Sequence, residues 1–403
     1  MNKKGFTLVE LLAVIAILAI LVIIALPNVL KMFNDAKKNS FLTEAKTVYS
    51  EVSKKYISES MKGNKLSYVS SEDDTKLEMT GRDLQYCVLL NTDGTIKSMK
   101  VSNGEWIAEL PSGKKITDLK NTDLKDVPSG YELECVPDAV DFKTDPWATI
   151  AKNAKDCVNN PDSCPYKVGD TKKVKVGEDE FTVRLVNLKA PSECNNKDIT
   201  KEDEFFSQSA CGFVVEFADI VTTYYMNDTR TNIGGWEKCA MRTFLNNNIY
   251  NLLDDGLKKV ISKVPIISGH GNKDPKDFIT EDYLYLLGTA EVLGYGVVVD
   301  MGRTAVMDTV SEKTRQLDYY EGVIMDYNSH AVTNDYVKVI KKNKEGIQSG
   351  WLFRSAALYG GDTWTSYYLN LSYINSYGKY YFGAEFADQY YGVAPVFRIG
   401  YEQ

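Results

Sequence analysis

The N-terminal stretch KKGFTLVELLAVIAILAILVIIAL, residues 3–26, sets the architecture of this 403-residue chain. From Phe6 to Leu26 only Thr7 and Glu10 are polar. A helix over this run measures about 31 Å, which is the thickness of the hydrocarbon core of a bilayer. The two lysines that precede the run predict that the N-terminus lies in the cytoplasm.

The acidic residue inside the apolar run is Glu10. A carboxylate inside a membrane span costs several kcal/mol unless it is paired or lies near the interface, so its presence predicts a cationic partner. The apolar run is also longer than that of an ordinary secretory signal, and no A-x-A-like cleavage site follows it. We therefore expect a membrane anchor with a functional acid rather than a plain signal peptide.

The string GFTLVELL, which begins at Gly5, resembles the prepilin signature of type IV pilins and pseudopilins. The resemblance implies that a prepilin peptidase cuts between Gly5 and Phe6, which removes the leader 1–5, and that Phe6 is then N-methylated. It implies that Glu10 pairs with the terminal ammonium group of a neighbouring subunit during filament assembly, and that Pro27 interrupts the helix. The implied partners are other pilin subunits, the prepilin peptidase and the assembly machinery.

Beyond the apolar run the sequence predicts a pilin-like head. Apolar residues continue mostly at i, i+3 and i+4 spacing, so we expect one helix over 6–56 with its membrane part at 6–26. Residues 57–140 contain strand-like segments separated by turn signals at 91–94 and 103–104, which predict an antiparallel β meander. The expected fold class is α+β: a long pilin helix packed on a small antiparallel meander, followed by a mixed, β-rich C-terminal domain.

The predicted C-terminal domain covers 146–403 and carries four marks. They are a hairpin around Gly177, a helix that starts at Gly234-Gly235-Trp236 and runs to about residue 260, the strand Trp351-Leu352-Phe353-Arg354, and a closing strand at 392–399. A further strand is predicted at 282–287. The set resembles a domain of unknown function from surface proteins of Gram-positive bacteria. The last two marks are also similar to C-type-lectin-like domains, which implies that fold as a possibility.

Composition restricts the function classes. The 47 basic and 55 acidic residues give a net charge of −8, which argues against a broad nucleic-acid-binding surface. With only two histidines, His270 and His330, the chain has little material for a histidine-rich metal site. We expect no enzyme, no cofactor and no metal, and calcium binding by Asp300 and Asp308 or by Asp274 and Asp277 stays open as an alternative. The alternative is a pilus-delivered surface enzyme acting on a cell-wall or glycan substrate, with His270 and Asp274 or Asp277 as its best residues.

Because the chain beyond the membrane run is expected to lie outside the cell, its cysteines can form disulfides. The candidates are Cys87, Cys135, Cys157, Cys164, Cys194 and Cys211. The first two bracket the predicted head, and a bridge between them is typical of the pilin heads that the chain resembles, although two separate thiols stay an alternative. The middle two would close a short loop that contains Pro161. Cys194 and Cys211 are one possible further pair, with Cys239 left over. Six cysteines allow about 15 connectivities, so this pairing stays open.

Tyrosine is unusually abundant near the C-terminus, where ten of the 26 tyrosines fall between Tyr359 and Tyr401. The ligand-surface candidates are Trp364, Tyr367, Tyr380 and Tyr390. Rigid aromatic rings with hydroxyl groups suit a glycan or a protein partner. The alternative is that these alternating aromatic residues line the core of a β-rich domain.

Together these features predict a minor pilin or pseudopilin that displays a C-terminal binding module for adhesion or partner recognition. A head of nearly 350 residues is easier to place at a filament tip or at low stoichiometry than in a bulk component. We expect a single-pass membrane protein before assembly and an extracellular filament subunit afterwards, on a Gram-positive bacterium. Adhesion, DNA uptake and secretion stay open as the role of that filament.

Overall fold

The computed structural model describes residues 8–400 except 65, 73–74, 80–83, 92, 138–140, 196–205, 270–276, 295–297, 301–305, 309–312, 327–330, 357–366 and 375–379. For residues 277, 298–300, 306–308, 325–326, 331, 333, 367–374 and 380–385 the backbone alone is described. The chain divides into two compact units, Met1–Pro137 and Asp138–Gln403.

The first unit is built on helix α1, Leu8–Met61, which has 54 residues. It ends five residues beyond the predicted limit. The predicted helix break at Pro27 is wrong, because α1 continues through this residue. The fixed φ of proline, about −65°, is itself helical, so the main loss is the hydrogen bond that its missing N–H would have donated to Ile23. At the next residue, Asn28 Nδ2 donates to the carbonyl of Ile24 at 3.5 Å.

The second half of α1 packs on an antiparallel sheet. The strands are β1 (Tyr68–Ser70), β2 (Gln85–Leu90), β3 (Ile96–Ser102), β4 (Trp106–Leu110) and β5 (Lys125–Asp126), and they pair in sequence order. The buried residues of α1 share one face and are Phe41, Leu42, Ala45, Val48 and Val52. They join a core with β-strand residues such as Val88, Val101 and Ala108. The predicted long helix on an antiparallel meander is confirmed.

The turn between β2 and β3 requires glycine. Gly94 has a φ of +83°, and a Cβ atom there would lie 2.0 Å from the ring of Tyr56. Only glycine combines that conformation with so close an approach of α1. A disulfide between Cys87 of β2 and Cys135 ties the sheet to the end of the unit.

The second unit contains short helices. They are α2 (Trp147–Asn159), α3 (Gly235–Lys238), α4 (Ala240–Phe244), α5 (Tyr250–Leu252), α6 (Asp255–Lys258) and α7 (Thr289–Leu293), with a π-helical turn at Leu245–Ile249. The continuous helix predicted from Gly234 to residue 260 is therefore wrong. Cys239 and Leu253 adopt extended backbone conformations, with ψ of 148° and 151°, and interrupt it.

The second unit is rich in strands. They are β6 (Thr171–Val176), β7 (Asp179–Asn187), β8 (Val214–Phe217), β9 (Thr222–Tyr224), β10 (Ile261–Ser262), β11 (Val264–Gly269), β12 (Asp277–Asp282), β13 (Val298–Asp300), β14 (Val306–Asp308), β15 (Ile324–Asp326), β16 (Ala331–Asn334), β17 (Lys341–Lys342), β18 (Gln348–Ser349), β19 (Trp351–Ala356), β20 (Tyr367–Ile374), β21 (Tyr380–Phe386), β22 (Tyr391–Val393) and β23 (Val396–Ile399). One sheet has the order β10-β23-β8-β7-β6, and another has the order β15-β16-β21-β20-β19-β22-β9. The described parts thus show the predicted α+β class.

The closing segment 392–399 is two strands rather than the one predicted. Strand β22 pairs in parallel with β19, whereas β23 pairs antiparallel with β8 in the other sheet. Pro395 lies between them and has no N–H for a sheet hydrogen bond. Its carbonyl accepts from Phe217 N at 2.8 Å. The strand predicted at 282–287 is also wrong, since β12 ends at Asp282 and the backbone then makes only an isolated bridge at Tyr285.

Two more disulfides lie in the second unit. Cys157 bonds with Cys164, and Cys194 bonds with Cys211, so all six candidate cysteines are paired. The remaining thiol, Cys239, is buried, and burial raises its pKa to about 12. At neutral pH it is therefore a protonated, unreactive group.

Candidate functional site

The exposed apolar half of α1 is the first candidate site. It has the length and composition of a membrane span, with a mean hydropathy of 3.2 over 18 residues, and none of that window is buried. Glu10 lies in the first turn of α1 and is exposed. The predicted cleavage residues Gly5 and Phe6 lie outside the described residues.

The predicted ligand-surface residues of the C-terminal region fall into three groups. Trp364 lies outside the described residues, as do His270 and Asp274 of the alternative enzyme site. Tyr367 and Tyr380 lie in the paired strands β20 and β21, of which only the backbone is described here. Tyr390 lies just before β22 and exposes 62% of its surface.

Tyr390 belongs to a cluster of four aromatic rings, Tyr224, Tyr225, Phe244 and Tyr390, which we call the aromatic corner. The ring of Tyr224 stacks on Phe244 at 3.9 Å between centroids and on Tyr225 at 4.3 Å. Tyr390 stands perpendicular to Tyr225, with centroids 5.3 Å apart and an interplanar angle of 88°. The result is a stack of three rings with a fourth ring at right angles to it.

The aromatic corner is assembled by three separate elements. Tyr224 ends the edge strand β9 and pairs with Tyr391 of β22, which places Tyr390 beside it. Phe244 is the last residue of α4. Sequence reasoning missed the three residues other than Tyr390, because the string Thr222-Thr223-Tyr224-Tyr225 is too short to reveal its partners. The adjacent tyrosines were the one available signal.

A hydrogen bond within the aromatic corner favours the protonated form of the Tyr224 hydroxyl. The hydroxyl of Tyr224 donates to the hydroxyl of Tyr225 at 3.3 Å. This bond, together with partial burial, raises the pKa of Tyr224 to about 12. Tyr224 is therefore a neutral phenol at physiological pH.

Beneath the surface, the tryptophan of the Gly-Gly-Trp segment belongs to a buried cluster around Asp282. Trp236 Nε1 donates to Asp282 Oδ2 at 2.9 Å, and Arg242 Nε donates to Oδ1 at 2.6 Å. Thr280 Oγ1 adds a third bond to Oδ2 at 2.8 Å. These residues connect the short helices to β12, so their role is to hold the fold.

The arginine of the segment Trp351-Leu352-Phe353-Arg354 forms a second buried group, the Glu291 cluster. Arg354 makes a bidentate pair with Glu291, at 2.7 Å for both contacts, and both side chains are fully buried. Arg354 also donates to Ser268 Oγ at 3.1 Å and to the carbonyl of Leu286 at 2.9 Å. The amide of Gly288 donates to Glu291 at 2.8 Å.

A third buried group, the Glu216 cluster, is centred on Glu216 of β8, in the sheet with the order β10-β23-β8-β7-β6. Glu216 accepts from Arg184 Nε at 3.0 Å, from Lys341 Nζ at 2.9 Å and from the Tyr320 hydroxyl at 2.8 Å. Burial alone would raise the pKa of Glu216, but the charges of Lys341 and Arg184 outweigh it and hold that pKa below its usual value. Burial also lowers the pKa of Lys341.

Within each of these three clusters the buried carboxylate is paired with basic side chains, of which Arg242 stays 28% exposed and Arg184 14% exposed. Within the described residues there is no group of three or more His, Cys, Asp or Glu side chains placed to hold a metal. Exposed features of the described residues that could contact a partner include the apolar half of α1 and Tyr390 of the aromatic corner.

Two family models match the chain, one at each end. Residues 1–26 match the prokaryotic N-terminal methylation motif, and residues 215–400 match a domain of unknown function, DUF6273. Neither a curated protein nor a solved structure matches the chain. The C-terminal match includes β8 and the aromatic corner but not α2, β6 or β7, and the likeness to C-type lectins stays a prediction. The chain thus combines a match to the N-terminal methylation motif, which supports a type IV pilin-like protein, with a match to DUF6273.

Proposed function

We propose that this protein is a minor pilin or pseudopilin subunit, which carries its C-terminal unit into a filament on the surface of a Gram-positive bacterium. The observation that carries the proposal is the apolar half of α1, which is exposed and lies largely within the matched methylation motif, residues 1–26. An exposed apolar surface of this extent requires a membrane or other copies of the same helix to cover it. The subunit uses the membrane before assembly and neighbouring helices afterwards.

Glu10 supplies the register of that assembly. It lies in the first turn of α1, where the positive end of the helix dipole favours a carboxylate. In an apolar surrounding it gains most from a full positive charge, which the methylated amino group of Phe6 on a neighbouring subunit supplies. One subunit is thereby set at a fixed distance from the next.

The size of the second unit supports a minor subunit. Asp138–Gln403 is larger than the whole first unit, which already contains the helix and the meander of a pilin head. A bulk subunit would have to repeat this added mass around a shared helix bundle. A low copy number or a tip position avoids that crowding.

We propose further that the second unit recognises a ligand rather than catalysing a reaction. Asp282, Glu291 and Glu216 are three of its buried acids, and each is paired with a basic side chain that helps to hold the fold. The aromatic corner, by contrast, is preassembled and presents the exposed ring of Tyr390. These properties suit binding.

The proposal is tested by quantifying the protein in sheared filaments of its host. We expect the wild-type chain to be present at a small fraction of the major subunit. Glu10→Ala should stay in the membrane fraction but fall about tenfold in the filaments, the effect of losing one charged interaction of roughly 1.4 kcal/mol.

The matched control is Glu51→Ala, which removes a glutamate from the polar part of the same helix, where it pairs with Lys54. It should leave incorporation unchanged. Finding this chain as the bulk component of the filament, or equal incorporation of both variants, would refute the proposal.

A further inference from the structure

The aromatic corner has the properties of a carbohydrate site. Tyr390 is exposed, and the other three rings are half-buried. Tyr224 lies between Phe244 and Tyr225, and Tyr390 stands perpendicular to Tyr225, so Tyr225 and Tyr390 form a floor and a wall. The face of an aromatic ring carries a negative quadrupole. The axial C–H bonds of a pyranose ring are weakly positive and flat enough to pack on such a face.

Polar groups lie within the corner and close to it along the chain. The hydroxyls of Tyr224 and Tyr225 lie within the corner. Arg230 and Asp388, which is two residues from Tyr390, form an ion pair with an Nε to Oδ2 distance of 2.9 Å. Planar guanidinium and carboxylate groups donate to and accept from vicinal hydroxyls.

The corner is rigid, which lowers the entropic cost of binding. The amide of Asn227 donates to the carbonyl of Ala387 at 2.9 Å, and this bond joins the segment after β9 to the turn before β22. The side chain of Asn227 accepts from Ala240 N at 3.1 Å and donates to the carbonyl of Thr231 at 2.6 Å. All three elements that supply the rings are therefore fixed before a ligand arrives.

Size and charge favour a sugar over a protein. A stable protein interface buries about 800 Å² on each partner, which is several times the area that four partly buried rings can offer. The Arg230–Asp388 pair is internally neutralised, and the negative charge of Asp228, which acts on Tyr224, disfavours an anionic partner. A chain of neutral pyranose units fits both properties.

We propose that the aromatic corner binds a neutral polysaccharide by stacking pyranose rings on Tyr225 and Tyr390. This inference rests on the proposed recognition role of the second unit and names its ligand class. It does not depend on filament assembly, because the corner is complete within one chain.

The test is co-sedimentation of the full-length chain, purified in detergent, with three insoluble polysaccharides: cellulose, chitin and mannan. We expect the wild type to bind at least one of them. Tyr390→Ala and Tyr225→Ala should each weaken that binding about tenfold, whereas Tyr390→Phe should retain it, because stacking needs the ring and not the hydroxyl.

Tyr336→Ala is the matched control, since Tyr336 is a partly exposed tyrosine outside the corner. It should bind as the wild type does, and all variants should keep the wild-type unfolding temperature. Binding to none of the three polysaccharides, or binding that survives both Tyr390→Ala and Tyr225→Ala, would overturn the inference. Either result would leave the filament assignment standing, because incorporation is measured separately.

Discussion

Arg354→Met is expected to destabilise the second unit by about 3–5 kcal/mol, because it leaves the fully buried carboxylate of Glu291 without its bidentate partner. The lost contacts also include the bonds of Arg354 to Ser268 and to the carbonyl of Leu286. Hydrogen exchange of the amides of β19, measured on the full-length chain in detergent, should show the loss directly.

The control for this prediction is Arg230→Met, the same chemical change at the exposed pair with Asp388. An exposed ion pair is worth about 1 kcal/mol or less, so this variant should stay close to the wild type. The double variant Arg354→Met with Glu291→Leu should be more stable than Arg354→Met alone, since no uncompensated charge remains. Equal stability of Arg354→Met and Arg230→Met would contradict the structural role of the Glu291 cluster.

Glu216→Gln is expected to cost a comparable 3–5 kcal/mol or so, because it leaves Lys341 and Arg184 facing each other without a balancing charge. Glu180→Gln is the matched control, since Glu180 pairs with Lys173 at 3.5 Å on the surface of the same sheet. It should change stability by about 1 kcal/mol at most. The free energy of local unfolding is again read from exchange, here at the amides of β8.

The Glu216 cluster also predicts a pH dependence. The folded-state pKa of Glu216 is lowered, so its contribution to stability is complete above its unfolded value of about 4.3 and is lost as the pH falls further. The pKa of Lys341 is lowered too, so near its folded pKa the unfolded state binds more protons and stability rises with pH.

Without Glu216 the pKa of Lys341 should fall further, because its attractive charge is gone. Glu216→Gln should therefore recover part of its stability between neutral pH and about pH 10. Over this range the buried Lys341 is deprotonated, whereas the lysine of the unfolded chain still holds its proton. The combination with Lys341→Met should remove this recovery. A pH profile parallel to that of the wild type over this range would contradict the assignment.

The N-terminal architecture was predictable because its signals are local. The apolar run, the i, i+3, i+4 pattern that buries Phe41 and Ala45, and the turn at Gly94 each lie within a few residues of the structure that they form. The fate of Pro27 was not predictable from its identity alone, since one lost hydrogen bond in a 54-residue helix does not end it.

The second unit was less predictable because its decisive contacts are distant in sequence. Glu216 and Lys341 are 125 residues apart, and Glu291 and Arg354 are 63 apart. The aromatic corner likewise unites Tyr224 with Tyr390 through the pairing of β9 and β22. Spacing along the chain indicates that such residues are unusual, but only the sheet topology brings them together.

The central claim, that the chain is a processed pilin-like subunit, is tested most directly by the intact mass and the N-terminal sequence of the mature protein from a host that has the prepilin peptidase. Gly5→Val, expressed in parallel, provides an uncleaved reference. The account predicts a wild-type chain that begins at Phe6 and carries one methyl group on its amino nitrogen. A mature chain that begins at Met1 in such a host would contradict it.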